Sequence, residues 1–91
     1  MAKILVVEDD LALSAGLCFA LDESGHLTAA AYTCQKARQL LKTDRFDLVI
    51  LDVNLPDGNG FDLCRECKSS APERPVIFLT ANDLERDELT G

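Results

Sequence analysis

Apolar residues along this chain follow two rhythms. Three runs, KILVV at 3–7, DLVIL at 47–51 and PVIFLT at 75–80, are almost continuously apolar and rich in β-branched residues. Such runs predict short strands covered on both faces, because a strand exposed on one face alternates apolar with polar. A fourth run, LTAAAY at 27–32, is a weaker strand of the same kind. Between the runs the period is helical. LALSAGLCFALDES at 11–24 places Leu13, Leu17, Ala20 and Leu21 on one face, with Gly25 as the stop. TCQKARQLLKTD at 33–44 has Thr33 as a candidate N-cap and Ala37, Leu40 and Leu41 inward. NGFDLCRECKSS at 59–70 reads as a helix with Phe61, Cys64 and Cys67 inward, and NDLERDELTG opens a further helix capped by Asn82 or Asp83.

Strict alternation of strand and helix predicts an α/β domain: a parallel sheet with helices on both faces. No repeat, linker or low-complexity tract divides the chain, and 91 residues suit one domain. In an open parallel sheet the ligand site lies beyond the carboxyl ends of the strands. Three strands end in polar residues there: Val7 runs into Glu8, Asp9 and Asp10, Leu51 into Asp52, and Leu79 into Thr80. With the first strand central and beside the third, Glu8, Asp9 and Asp52 converge. Carboxylates that close repel one another and raise one another's pKa. A hard divalent cation removes that cost, and Mg²⁺ accepts a few protein oxygens while keeping waters. The backbone carbonyl of Asn54, two residues past Asp52, is within reach of the same ion. No His or Cys base accompanies the cluster, so its chemistry is that of a carboxylate nucleophile receiving an electrophile, with Thr80 as a hydroxyl donor.

Composition narrows the partners. A net charge of -7 argues against direct contact with nucleic acid or an anionic membrane. No apolar run is long enough to span a bilayer, and MAKILVVEDD lacks the plan of a secretion signal, so the cytoplasm is the expected location. Of the four cysteines, Cys64 and Cys67 in CREC have metal-motif spacing, but they sit in a helical pattern with no second pair of ligands. They read as small apolar packing residues. His26 reads as a loop residue, and DLERDEL as a solvated helix face.

Taken together, the acid pair in VVEDD, the aspartate in LVILDVNLPDGNGF and the hydroxyl in PVIFLTA resemble the receiver domain of a two-component response regulator. The resemblance covers the whole chain and is closest to regulators carrying a C-terminal winged-helix DNA-binding domain. It implies a flavodoxin-like doubly wound parallel sheet with strand order 2-1-3-4. The family's fifth strand, which ends in Lys-Pro, and its last helix have no counterpart here, so the chain resembles a receiver domain truncated at its C-terminal end. Carried over residue by residue, Glu8 and Asp9 resemble the metal-binding acids and Asp52 the phosphorylated aspartate. Asn54 matches the residue lending its carbonyl to Mg²⁺, Thr80 the switch hydroxyl, and Ala81 the small residue that leaves room for the phosphoryl group. The implied partners are a sensor histidine kinase and small phosphodonors, with DNA reached only through an output domain that is not in this chain. The uncovered edge of the 75–80 strand predicts low stability or association with a second copy.

Plainer assignments compete at each position. Asp52 also suits a loop cap, and Glu8, Asp9 and Asp10 also suit the acids of a helix N-terminus. Asp10 fits that role best, and Thr80 also fits a cap. Two other functions remain open. A phosphatase of the haloacid dehalogenase type shares the strand-tip aspartate, but it has an acid where this chain has Asn54, and its nucleophile strand comes first. A pseudo-receiver acting only as an interaction module would be expected to have a broken acid cluster.

Overall fold

The computed structural model describes residues 1–79. Thr80, Ala81 and the helix expected from Asn82 lie outside the described residues. Along the chain run β1 (Lys3–Val7), α1 (Leu11–Glu23), β2 (Leu27–Ala31), α2 (Cys34–Thr43), β3 (Leu48–Leu51), β4 (Asn54–Leu55), β5 (Gly58–Asn59), α3 (Gly60–Ser70) and β6 (Val76–Phe78). β2, β1, β3 and β6 form one parallel sheet in that order, and β4 pairs with β5 in a separate antiparallel hairpin. Numbered among the strands of the main sheet, this is the expected order 2-1-3-4. The hairpin is an addition between β3 and α3, where no strand was expected.

The apolar runs are buried as their composition requires. Ile4, Leu5, Val6 and Val7 of β1 are at most 2% exposed, and Val49, Ile50 and Leu51 of β3 are also buried. One face of the sheet carries Leu5, Val7, Val49 and Leu51 into a core with Cys34 and Ala37 of α2 and Leu63 and Cys67 of α3. The other carries Ile4, Val6 and Ile50 against Leu17, Cys18 and Leu21 of α1. All four cysteines are free, which agrees with packing rather than bridging. Helix ends follow the local chemistry. Asp10 caps α1 by accepting from Leu13 N–H at 3.1 Å, and Thr33 caps α2 by accepting from Lys36 N–H at 3.0 Å. After α1 the chain reverses through Gly25 at φ +92°, a left-handed conformation that costs glycine nothing. His26 lies in this connection, its Nδ1 accepting from Ala2 N–H at 3.0 Å.

Three burial expectations are corrected. In α1 the inward line is Ser14, Leu17, Cys18 and Leu21, while Leu13 is 43% exposed and Ala20 is also outside. The helix is apolar on nearly every side, so periodicity alone does not choose its face. In α3 the buried positions are Gly60, Leu63 and Cys67, with Phe61 half exposed and Cys64 partly so. Phe61 occupies the first turn and turns sideways to the Phe78 ring, centroids 5.0 Å apart. Finally, β6 is not a buried strand among the described residues: it pairs with β3 alone, and Ile77 is 50% exposed.

The corrected face of α3 predicts unequal costs for two truncations. Leu63→Ala removes a side chain with no exposure and is expected to cost about 3 kcal/mol in urea unfolding. Phe61→Ala loses mainly its aromatic contact, about 1 kcal/mol. Equal losses would restore the Phe61 face.

Candidate functional site

The parallel register determines where the strand ends fall. Val7 is paired with Ala31 on one side and Leu51 on the other, and Leu51 with Phe78. The ladder continues one residue further at each tip. Glu8 N–H donates to Ala31 O at 3.0 Å, Asp52 N–H to Val7 O at 2.9 Å, and Leu79 N–H to Leu51 O at 2.9 Å. Glu8 and Asp52 are thus fixed at the carboxyl end of the sheet by the same bonds that hold the strands together. Glu8, Asp9 and Asp52 each bring a carboxylate oxygen within 4.8 Å of the other two. The sequence placed these three together, and the structure does so as well. Asn54 is in β4, two residues beyond Asp52 and exposed. Thr80, one residue past Leu79, and Ala81 are outside the described residues.

The three acids do not share one environment. Glu8 is 4% exposed, Asp52 is partly buried and Asp9 is open to solvent. Burial pushes the Glu8 carboxyl above its ordinary value of 4.5; the Asp10 N–H, donating to Glu8 Oε2 at 2.9 Å, opposes this, and the charges of Asp52 and Asp9 add to it. Two full charges within 4.8 Å of each other repel by at least roughly 3 kcal/mol at an effective dielectric near 20, before solvent screening. No Lys or Arg among the described residues forms an ion pair with these carboxylates. Asp10, next in sequence, is not part of the cluster, because its side chain is committed to the α1 cap.

The donor set fits a hard divalent cation. A few carboxylate oxygens this close together, with the remaining positions left to carbonyl and water, make the donor pattern Mg²⁺ takes. A buried carboxylate with like-charged neighbours and no cationic side chain also gains most from such an ion.

Two residues of this region were not picked out from sequence. Gly60 opens α3 directly against the end of β3: a Cβ there would overlap the Asp52 carbonyl oxygen and lie 2.9 Å from Val53 Cα and 2.8 Å from Leu51 Cδ1. Its N–H donates to Val53 O at 2.7 Å, which closes the loop that leaves Asp52. Asp57, at the turn of the β4–β5 hairpin, accepts from Cys34 N–H at 2.7 Å and from Gln35 N–H at 2.9 Å. The Gly-X-Gly spacing after Pro56 was the available signal for the first. For the second there was none, since its partners are more than twenty residues away.

Comparison with known proteins agrees with this geometry. Residues 4–90 match the response regulator receiver domain family, and the chain belongs to it. The chain is 38% identical over 89 residues to the transcriptional regulatory protein PmrA of Pectobacterium parmentieri, covering 98% of this chain and 40% of that protein. It is 36% identical to the transcriptional regulatory protein BasR of Escherichia coli, again over 98% of this chain and 40% of the relative. The chain therefore spans about 40% of the length of these curated relatives. Among solved structures, the non-phosphorylated HemR receiver domain from Leptospira biflexa superposes with a TM-score of 0.82 at 36% identity, covering 100% of this chain and 77% of that one.

Two expectations follow from the site as built. Glu8 binds its proton more tightly folded than unfolded, so the stability it contributes is full below pH 4.5 and is lost as the pH rises through its raised folded value. In divalent-free buffer the stability of Glu8→Gln relative to wild type is expected to climb as the pH rises through that window. A difference that stays flat from pH 4 to 8 in urea titrations would contradict the burial argument. Gly60→Ala forces the Asp52 backbone aside and is expected to cost about 3 kcal/mol, seen as a lowered Tm.

Proposed function

We propose that this chain is a phospho-acceptor switch: Asp52 takes a phosphoryl group from the phosphohistidine of a sensor histidine kinase, or from a small phosphodonor, in a Mg²⁺-dependent reaction. The observation that carries this reading is the convergence of Glu8, Asp9 and Asp52 within 4.8 Å at the strand tips. The ladder bond from Asp52 N–H to Val7 O at 2.9 Å holds the backbone of the acceptor while its side chain stays partly open. A rigid nucleophile with one accessible side is what an in-line transfer requires.

Asp9, Asp52 and the Asn54 carbonyl would hold the ion directly, with Glu8 acting through water. Held there, Mg²⁺ would supply positive charge against the crowded carboxylates and the incoming phosphoryl oxygens. An Asp52 carboxylate oxygen attacks phosphorus, and an O–P bond forms as the P–N bond of the donor breaks, its electron pair returning to the imidazole. The product is an acyl phosphate on Asp52. Thr80 then donates its hydroxyl to a phosphoryl oxygen, and Ala81 leaves the space for it. In the full-length protein the pull on Thr80 would bias a two-state face built by later elements, which is how a local charge becomes a signal.

The chain acts as a signalling acceptor rather than an enzyme with turnover on an external substrate. Its setting is a cytoplasmic two-component system controlling transcription. The matched relatives are transcriptional regulators about two and a half times its length, each covered to 40%, so DNA is reached through an output domain outside this sequence. Among the described residues no helix is long and apolar enough to cross a membrane. A homodimer is a further expected partner state.

Intact-mass measurement after incubation with acetyl phosphate and Mg²⁺ tests the acceptor. One phosphoryl adduct is expected, removed by hydroxylamine and absent from Asp52→Ala, whose circular dichroism stays native. An adduct that survives Asp52→Ala would move the acceptor elsewhere, and no adduct on wild type would reject the reading.

A further inference from the structure

The β4–β5 hairpin follows the acceptor immediately and contains Asn54, yet its own ladder is two residues long on each side. A ribbon that short does not hold a position by itself. At its base it is held by Gly60, whose N–H bonds Val53 O and whose Cα lies against the Asp52 carbonyl. At its tip it is held by α2. Asp57 accepts from Cys34 N–H at 2.7 Å with one oxygen and from Gln35 N–H at 2.9 Å with the other. These are the first two N–H groups of α2, which no residue of the helix itself can satisfy. Thr33 satisfies a third, that of Lys36. A carboxylate at this position also gains from the helix dipole, and the two backbone donors hold the Asp57 carboxyl below its ordinary value of 3.8. Contact through side chains runs the same way. A Cβ on Gly58 would lie 3.1 Å from Cys34 Sγ, so the hairpin rests directly on the first turn of α2, and Leu55 is buried in the shared core.

We propose that Asp57 is a positioning residue for the acceptor site, a latch that fixes the hairpin to α2 and thereby holds the Asn54 carbonyl and the open face of Asp52 in register with Glu8 and Asp9. The proposal rests on the phospho-acceptor reading of Asp52. Its physical content is a second point of attachment. With Gly60 alone the hairpin is a lever hinged at Asp52, and with Asp57 it is a strut between Asp52 and the tip of β2. That tip is itself tied to Glu8 by the bond from Glu8 N–H to Ala31 O. The acids from two strands and the carbonyl from the loop are thus linked through α2.

Asp57→Ala, Asp57→Asn and Thr33→Ala in the full 91-residue chain separate a latch from a plain helix cap. Thr33→Ala removes a cap from the same helix without touching the hairpin. Amide hydrogen exchange in divalent-free buffer is expected to quicken across residues 53–59 in Asp57→Ala, whereas in Thr33→Ala it quickens only in the first turn of α2. Calorimetric titration with Mg²⁺ is expected to show about a tenfold weaker dissociation constant for Asp57→Ala, an intermediate value for Asp57→Asn, which keeps one acceptor oxygen, and no change for Thr33→Ala. Adduct formation from acetyl phosphate should slow in the same order.

The latch is overturned if Asp57→Ala loosens α2 alone with wild-type Mg²⁺ affinity, or if Thr33→Ala weakens Mg²⁺ as much. Should Asp57→Ala not fold, Asp57→Asn against Thr33→Ala decides by the same readings. A wild-type chain that forms no adduct, while Mg²⁺ still weakens in Asp57→Ala, sinks the acceptor reading and supports the latch as the brace of a cation site.

Discussion

Three carboxylates do not gather of their own accord, and everything distinctive about this chain depends on what holds them. The constraint is the register of buried parallel strands. β1 and β3 have almost no alternative alignment, because slipping either by one residue would exchange its two core faces and move Leu5, Val7, Val49 and Leu51 out of their shared core. That register puts Val7 opposite Leu51, and the next residue on each strand is an acid. The apolar core thus provides the energy that keeps like charges adjacent. The parallel arrangement matters as well, since in an antiparallel pair the two tips would lie at opposite ends of the sheet.

The remaining acids near this end show how differently one residue type is used. Asp10 lies beside the cluster in sequence but is spent on the N-terminus of α1. Asp57 is spent on the N-terminus of α2, and Asn59 does similar work for α3, its Oδ1 accepting from Phe61 N–H at 2.6 Å. The three helices among the described residues therefore begin at the site end of the sheet, each with at least one free N–H group answered by a side chain. Glu8, Asp9 and Asp52 face one another instead, and none of them forms an ion pair among the described residues. Asp10 and Asp57 thus give their carboxylates to helix N–H groups, while in the cluster Glu8 accepts one backbone N–H, from Asp10.

How much of this was readable in the sequence depends on the range of the interaction. The strands were legible because an apolar run without alternation has few other uses, and the acids were legible because they stand where such runs end. The face of α1 was not. Ser14, its one polar residue between Leu11 and Leu21, was not among the positions placed inward, yet it is 1% exposed with no hydrogen-bond partner for its hydroxyl. Packing of Leu17, Cys18 and Leu21 on the sheet decides the rotation, and a small side chain is carried in with them. For α3, Phe61 and Leu63 satisfy the same periodicity, and the aromatic contact with Phe78 separates them only in three dimensions. Asp57 was hidden for a different reason: an exposed acid in a turn-forming loop looks alike whether it touches water or a distant helix.

The asymmetry within the acid trio carries one more consequence. Glu8 is the buried member, and its preference for a proton is strongest when its neighbours are charged. Folding without a cation therefore works against ionising Glu8, and a ligand that binds only the folded form returns that energy as stability. Occupancy of the site and integrity of β1 are in this way linked, because Glu8 is the residue directly after the most deeply buried strand and bonds through its own N–H to β2. Asp9 and Asp52, more open to solvent, can change their charge environment without straining the sheet. Under the proposed function, a phosphoryl group on Asp52 would add charge beside Glu8, the member of the trio least able to shed its own into solvent.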